Sequence, residues 1–274
     1  MRKRIIEILL IASVFIWANW YASLNLQTEL YGIVVGGVMV LLIELIDYLI
    51  KEWDFLKLYW DCYKPWTEKE IRLTIAYLFR IEINGKYLLV KSNRIANTYQ
   101  PIGGVYKYYN PEAKRELDCM GAITDNKIDN DDKSECDLRL NLLNRKKMGT
   151  FLKWFFKGEN RESDPWREFY EELVVTGILS AKEFGYIHYE LVGQLFDPIH
   201  RDKFFNVDTF KYTNIFIPKF VTNRQIEEVK KLRRINSTEY IWVTQQEISQ
   251  GKSADNHLIA EHTHKIFHNK ILHQ

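Results

Sequence analysis

Apolar residues crowd the first fifty positions and then give way to short alternating stretches, so hydropathy alone divides the chain into two parts. Residues 5–24 and 31–50 are mostly apolar runs, each near the roughly 20 residues a helix needs to cross about 30 Å of hydrocarbon, and 25–30 joins them. This pattern predicts a transmembrane helical hairpin within residues 1–50. Arg2, Lys3 and Arg4 precede the first run and Lys51 and Lys57 follow the second, while the connection has no Lys or Arg. By the positive-inside rule both ends face the cytoplasm. A basic start before an apolar run also marks a cleaved signal peptide, with Ala22-Ser23 near a cleavage position. The second run would then stop transfer, so residues beyond Lys51 stay cytoplasmic either way.

Glu7, Asn19, Glu44 and Asp47 interrupt the apolar runs and are costly if they face lipid, so they are expected to face protein or headgroups. Two arrangements suit Glu44 and Asp47: pairing with Arg2, Lys3 and Arg4, or snorkelling at the interface. Gly32 and Gly36 form a G-x-x-x-G pair, which predicts close helix association and a homo-oligomer through the membrane segment.

Residues 51–67 read as a juxtamembrane linker, with Trp53, Tyr59, Trp60 and Trp66 suited to the membrane–water interface. From residue 68 to 274 the pattern is that of one domain. Residues 71–90 alternate as two strands of a hairpin turning at Asn84-Gly85. Residues 124–137 are acidic and polar and read as mobile, within an insertion spanning about 105–157. Asp129, Asp131 and Lys133 fail the spacing of a calcium loop. Helical spacing returns at 150–156 and 165–175, the second opened by Asp164-Pro165. Strands follow at 186–195, 209–217 and 240–243, then a helix at 255–269. Mixed elements in this order predict an α+β sandwich.

The formal net charge of +2 argues against a nucleic-acid partner, and Lys230, Lys231, Arg233 and Arg234 read as a solvated helix face. Cys62, Cys119 and Cys136 have neither disulfide nor zinc spacing. His257, His262, His264 and His268 lack the H-E-x-x-H pattern, and no metal is assigned to them.

Glu168, Glu171 and Glu172 stand at i, i+3 and i+4, which on an α-helix places three carboxylates on one side. Such a face is either solvated or neutralised by a cation, and Mg²⁺ favours oxygen ligands. Arg167-Glu168-Phe169-Tyr170-Glu171-Glu172, with Glu159 eight residues before Arg167, resembles the central part of the Nudix signature. The closing glycine is replaced by Val174, and Thr176-Gly177 is placed to end the helix. Together with Tyr99 to Gly104, Asp137 to Leu140, Arg161-Glu162 and Ala260 to His264, the chain resembles the SMODS-associated Nudix domain over most of 68–274.

The resemblance implies a Nudix-like α/β/α sandwich with a mixed sheet, and divalent metal (Mg²⁺ or Mn²⁺) on Glu168, Glu171, Glu172 and the Gly104 carbonyl. It implies a hydrolase of a nucleoside-diphosphate-linked substrate, with Glu168 and Glu171 catalytic. Glu168 is the first choice of general base and Glu239 the second. It also implies an effector of bacterial CBASS anti-phage defence, multi-pass in the inner membrane and activated by a cyclic nucleotide. The rival reading is an inactive Nudix-fold nucleotide sensor that disrupts the membrane through its hairpin.

Overall fold

The structure is a computed structural model that describes residues 2–21, 24–65, 69–93, 95–125, 134–203 and 205–272. It forms two compact units, residues 1–56 and 57–274.

In the first unit, helices α1 (Arg2–Tyr21) and α2 (Leu24–Lys51) pack on one another. Residues 25–30, expected as a connection, are helical, and α2 takes them in as its first turns. Among the described residues only Leu26–Lys51 is long and apolar enough to cross a membrane. Residues 31–50, the second expected span, lie within that helix, and α1, which takes up the first, has the side chains of residues 2–9 outside the described residues. Asn19 is satisfied inside the pair, accepting from Tyr31 Oη at 2.8 Å and donating to the Phe15 carbonyl at 2.9 Å. The close approach falls at Gly37, where a Cβ would lie 2.9 Å from Ile11 Cδ1; nothing lies within 4 Å of one at Gly32 or Gly36. Asp47 pairs with Lys51 at 2.7 Å, and the side chains of Arg2, Lys3 and Arg4 lie outside the described residues.

The helix α3 (Trp53–Tyr63) leads into the second unit, whose strands in chain order are β1 (Ile71–Phe79), β2 (Glu82–Ile83), β3 (Lys86–Lys91), β4 (Thr98–Gln100), β5 (Gly103–Val105), β6 (Ala122–Thr124), β7 (Arg139–Leu142), β8 (His188–Asp202), β9 (Val207–Lys219), β10 (Tyr240–Thr244) and β11 (Leu258–Ile259). They make two sheets. The first runs β6-β7-β1-β9-β8, with β5 also on β1. Its centre is β1, paired in parallel with β9 from Arg72↔Thr209 to Phe79↔Phe216. The other edge of β1 is shared, β7 taking Ile71 to Thr74 and β5 taking Ala76 to Leu78. The second sheet runs β10-β3-β4-β11.

The turn at Asn84-Gly85 is as expected, both residues having positive φ (48° and 73°), but it joins only β2 to β3. Residues 71–79 do not pair with 86–91. Both faces of β1 are buried, so it needs a neighbour on each edge and a layer on each side. One face presents Tyr77 and Phe79 to an aromatic layer with Tyr106 and Phe169, and the other presents Leu78 to Leu89, Tyr99, Val243 and Ile266 of the second layer. The mixed α+β fold is therefore as expected.

The stretch 105–157 is core rather than appendage. Its helix α4 (Glu112–Met120) buries Leu117, and its helix α5 (Met148–Lys157) buries Phe151, Leu152 and Phe155. Residues 126–133 lie outside the described residues, yet both flanks of that acidic stretch are anchored. Asp125 is buried against Arg72 at 2.5 Å, whose guanidinium lies 4.4 Å from the Phe205 ring centre, and Asp137 is buried beside Arg139 and Lys107. The expected C-terminal helix is instead β11 followed by a 3₁₀ turn at Glu261–Phe267. Asn256 has φ 64°, and β11 pairs with β4, which breaks any continuous helix across 255–269.

Removing one partner of a buried ion pair leaves a charge uncompensated, so Asp125→Ala should cost about 3–5 kcal/mol. Asp118→Ala, which breaks an exposed pair with Lys114, should cost about 0–1 kcal/mol. Urea denaturation of the two variants checks the contrast.

Candidate metal centre

The carboxylate helix starts where the sequence places it. Asp164 Oδ1 accepts from Trp166 N at 2.8 Å across Pro165, and α6 (Trp166–Phe169) follows. The helix then widens into a π turn over Tyr170–Val175. Phe169, Leu173 and Val174 anchor it in the core, which is why a valine rather than a glycine suits position 174. Gly177, with φ 77°, ends it as expected.

The π turn changes which carboxylates share a side. Closing i→i+5 hydrogen bonds takes more than four residues per turn, so i+4 comes nearly into line with i while i+3 falls behind. Glu168 and Glu172 accordingly sit together and half-buried, while the Glu171 side chain is 50% exposed, 3.8 Å from Arg167 Nη1. The sequence expectation of three carboxylates on one side holds for two. Among the described residues no three His, Cys, Asp or Glu side chains are disposed around one ion position.

β5 passes directly under this helix. Gly103 N donates to Glu172 Oε2 at 3.0 Å, and a Cβ at Gly103 would fall 2.2 Å from the Tyr77 carbonyl oxygen. At Gly104 a Cβ would fall 2.1 Å from Glu168 Oε1. Two glycines are thus needed here because strand backbone and carboxylates approach within contact. Gly104, Glu168 and Glu172 are brought together as the sequence suggested.

Arg167 knits the group. Its Nε donates to Glu162 Oε1 at 2.9 Å, Nη1 to Glu168 Oε1 at 2.6 Å, and Nη2 to the Val105 carbonyl at 3.1 Å. Glu162 is buried and also accepts from Lys107 N at 3.1 Å. Glu159, whose spacing matches the signature, is instead on the surface with Lys157 at 2.5 Å. The glutamate that holds Arg167 is Glu162, not Glu159. The sequence signal for it was the Arg161-Glu162 pair: Arg161 lies 3.8 Å from the centre of the Phe155 ring and donates to the Phe155 carbonyl, which fixes Glu162 in the interior. Glu239 lies at the start of β10, exposed and bonded to Thr238, on the other sheet. His264 and His268 belong to no α-helix, and burial, helped by Lys265 and Lys211, pushes His262 down to about 4.

Burial, then the charge of Glu168, pushes the Glu172 carboxyl up to about 8, against which the Gly103 N–H works. Burial raises Glu168 too, opposed by Arg167. Burial disfavours the Arg167 charge, but its bond to Glu162 and the charges of Glu168 and Glu162 hold it protonated. Two half-buried carboxylates side by side, one with a backbone donor and one against glycine backbone, are a hard-oxygen donor set that suits a small divalent cation.

The profile of the SMODS-associated NUDIX domain matches residues 70–267. The chain belongs to that family. The match runs from β1 through the 3₁₀ turn at Glu261–Phe267 and leaves α1, α2 and α3 outside. Searches of curated proteins and of solved structures return no match. Within this SMODS-associated Nudix domain, every element that builds the carboxylate pair lies inside the matched span, and the family places the chain in a nucleotide-related signalling context.

Two predictions test the geometry. Gly104→Ala obliges only the flexible Glu168 side chain to swing away, so it should shift Tm by no more than a few degrees yet weaken Mg²⁺ binding by at least about tenfold, read by calorimetry. Gly103→Ala meets strand backbone and should destabilise the fold itself. For Glu172, a value raised in the folded state gives stability that is full below the ordinary 4.5 and lost as pH rises through about 8. The metal-free Tm should fall across that window, Glu172→Gln should flatten the fall, and Mg²⁺ should raise the wild-type Tm most at the alkaline end.

Proposed function

We propose that this SMODS-associated Nudix domain protein is a membrane-anchored hydrolase of a nucleoside-diphosphate-linked substrate, dependent on Mg²⁺ or Mn²⁺. It acts as an effector of CBASS-type anti-phage defence under the control of a cyclic nucleotide. The observation that carries the chemistry is the pair Glu168 and Glu172, half-buried together above Gly103-Gly104 and both pushed toward the protonated form.

Glu168, Glu172 and the Gly104 carbonyl would hold the cation, with Glu171 as the third carboxylate of the same helix. Once bound, such a cation polarises a phosphoryl oxygen and lowers the pKa of a water. The chain's own residues do the rest. Arg167, fixed by Glu162, keeps a positive charge 2.6 Å from Glu168 and so opposes the rise that burial imposes on this carboxyl, the candidate proton acceptor. The Gly103 N–H orients Glu172. On the membrane side, α1 and α2 form a two-pass anchor in the bacterial inner membrane with both termini cytoplasmic. Support comes from the length of Leu26–Lys51, its apolar surface exposed outside the stripe that faces α1, and the satisfied Asn19.

One observation favours a second reading. Arg167 already occupies Glu168, and Glu171 is turned to solvent, an arrangement that suits an inactive sensor acting on the membrane through its hairpin. The full-length protein in detergent, supplied with Mg²⁺ and a panel of nucleotides, dinucleotides and NAD with or without cyclic oligonucleotides, separates the two. Hydrolysis lost by at least about a hundredfold in Glu171→Gln supports the enzyme. Absence of product across the panel, with cell killing that survives Glu171→Gln but not replacement of Gly32 and Gly36 by isoleucine, supports the sensor.

A further inference from the structure

The short helix α3 has three stripes of different chemistry. Leu58 and Cys62, on one stripe, are 5% and 1% exposed. The Cys62 thiol is pushed up to about 11 by burial, against the pull of Arg145, which is itself buried and bonded to Asp208 at 2.9 Å. Beside them Tyr59 covers Gly149 at the start of α5, where a Cβ would lie 2.8 Å from the Tyr59 ring. This stripe is docked on the domain. Asp54, Lys57 and Asp61 form a polar stripe at i, i+3 and i+7.

The third stripe repeats the same spacing with Trp53, Leu56, Trp60 and Tyr63, which are 61%, 38%, 72% and 58% exposed. Four large apolar side chains in one row on a helix whose neighbouring stripe is buried call for an occupant. The residue types name it. Trp and Tyr carry an apolar ring with a polar edge, which suits the headgroup level of a bilayer. The apolar helix α2 ends at Lys51, two residues before Trp53, so a chain leaving the hydrocarbon there enters α3 at headgroup depth. Cations border the row: Lys146 lies 5.9 Å from the Tyr63 ring centre, and Lys147 follows it, both exposed. A second copy of the chain fits poorly, because a row of four on an 11-residue helix is far short of the roughly 20–30 residues a side of a stable interface.

We infer that α3 is an interfacial helix, one stripe fastened to the Nudix domain and the Trp53–Leu56–Trp60–Tyr63 stripe seated among anionic lipid headgroups. The inference rests on the membrane-anchored reading above. The full-length protein carrying Cys119→Ser and Cys136→Ser takes a bimane label at Trp60→Cys, at Tyr63→Cys, or at Lys182→Cys on the helix α7 (Ala181–Phe184) as control; Cys62 stays buried. Each is reconstituted into phosphatidylcholine–phosphatidylglycerol vesicles with a nitroxide on the lipid headgroup or shallow on the chain.

Strong quenching at positions 60 and 63 with several-fold less at 182 is the expected result. Equal, weak quenching at all three positions overturns the inference. So does a label at 60 that ignores nitroxide lipid but self-quenches between copies, which assigns the stripe to a second chain. Alkaline extraction of the same vesicles keeps the two readings apart. Protein stripped from the vesicles fails the anchor itself, whereas retained but unquenched protein fails only the interfacial helix.

Discussion

The Arg167 guanidinium, spread between Glu162 and Glu168, is the interaction on which the rest of the domain's polar interior depends. Three carboxylates stand close together here, Glu162 buried and Glu168 and Glu172 half-buried, and like charges so placed repel more strongly than they would in water. A planar, permanently charged group with donors in a fork can serve two of them at once, where a lysine could serve only one well. Tyr77 beneath it and the Val105 carbonyl take the remaining donor, so β1 and β5 are tied to the carboxylate helix through the same side chain. The aromatic layer of Tyr77, Phe79, Tyr106 and Phe169 then packs around a centre that is already electrostatically closed.

Local signals in this chain were legible because they are local. Proline and aspartate open the carboxylate helix, Asn84-Gly85 turns the short hairpin, and alternation marks β1, β8 and β9, all from chemistry within a few residues. Likewise the apolar run that becomes α2 announces itself, and Arg167 to Glu172 stand out as a group. The family match over 70–267 takes in the motifs from Tyr99 to His264 that carry the resemblance.

What could not be read depends on contacts distant in sequence or on a subtle change of helical pitch. Nothing within 71–90 tells β1 to leave its neighbour and join 209–216, because that choice is made by the partners on its two buried faces. A π turn is invisible to a pattern built on 3.6 residues, so the outward rotation of Glu171 could not be foreseen. Glu159 matched the expected spacing while Glu162 holds Arg167, since burial of Arg161 against Phe155, not spacing, decides which glutamate turns inward. Asp125 and Asp137, which flank 126–133, are anchored by Arg72 and Arg139, the first of them a partner far off in the chain that local polarity does not reveal.

The parallel pairing of β1 with β9 also sets a schedule for the nascent chain. Arg72 finds its neighbour only when Thr209 has been made, and at roughly 5–20 residues per second that delay is on the order of 10–30 s. During it the nine apolar-rich residues of β1 have no lasting cover on one edge, and the apolar helix α2 has already emerged ahead of them. A chain delivered early to a lipid surface would wait there with an open strand edge, which makes the order of membrane capture and sheet closure, rather than final stability, the step at which neighbouring copies could cross-pair.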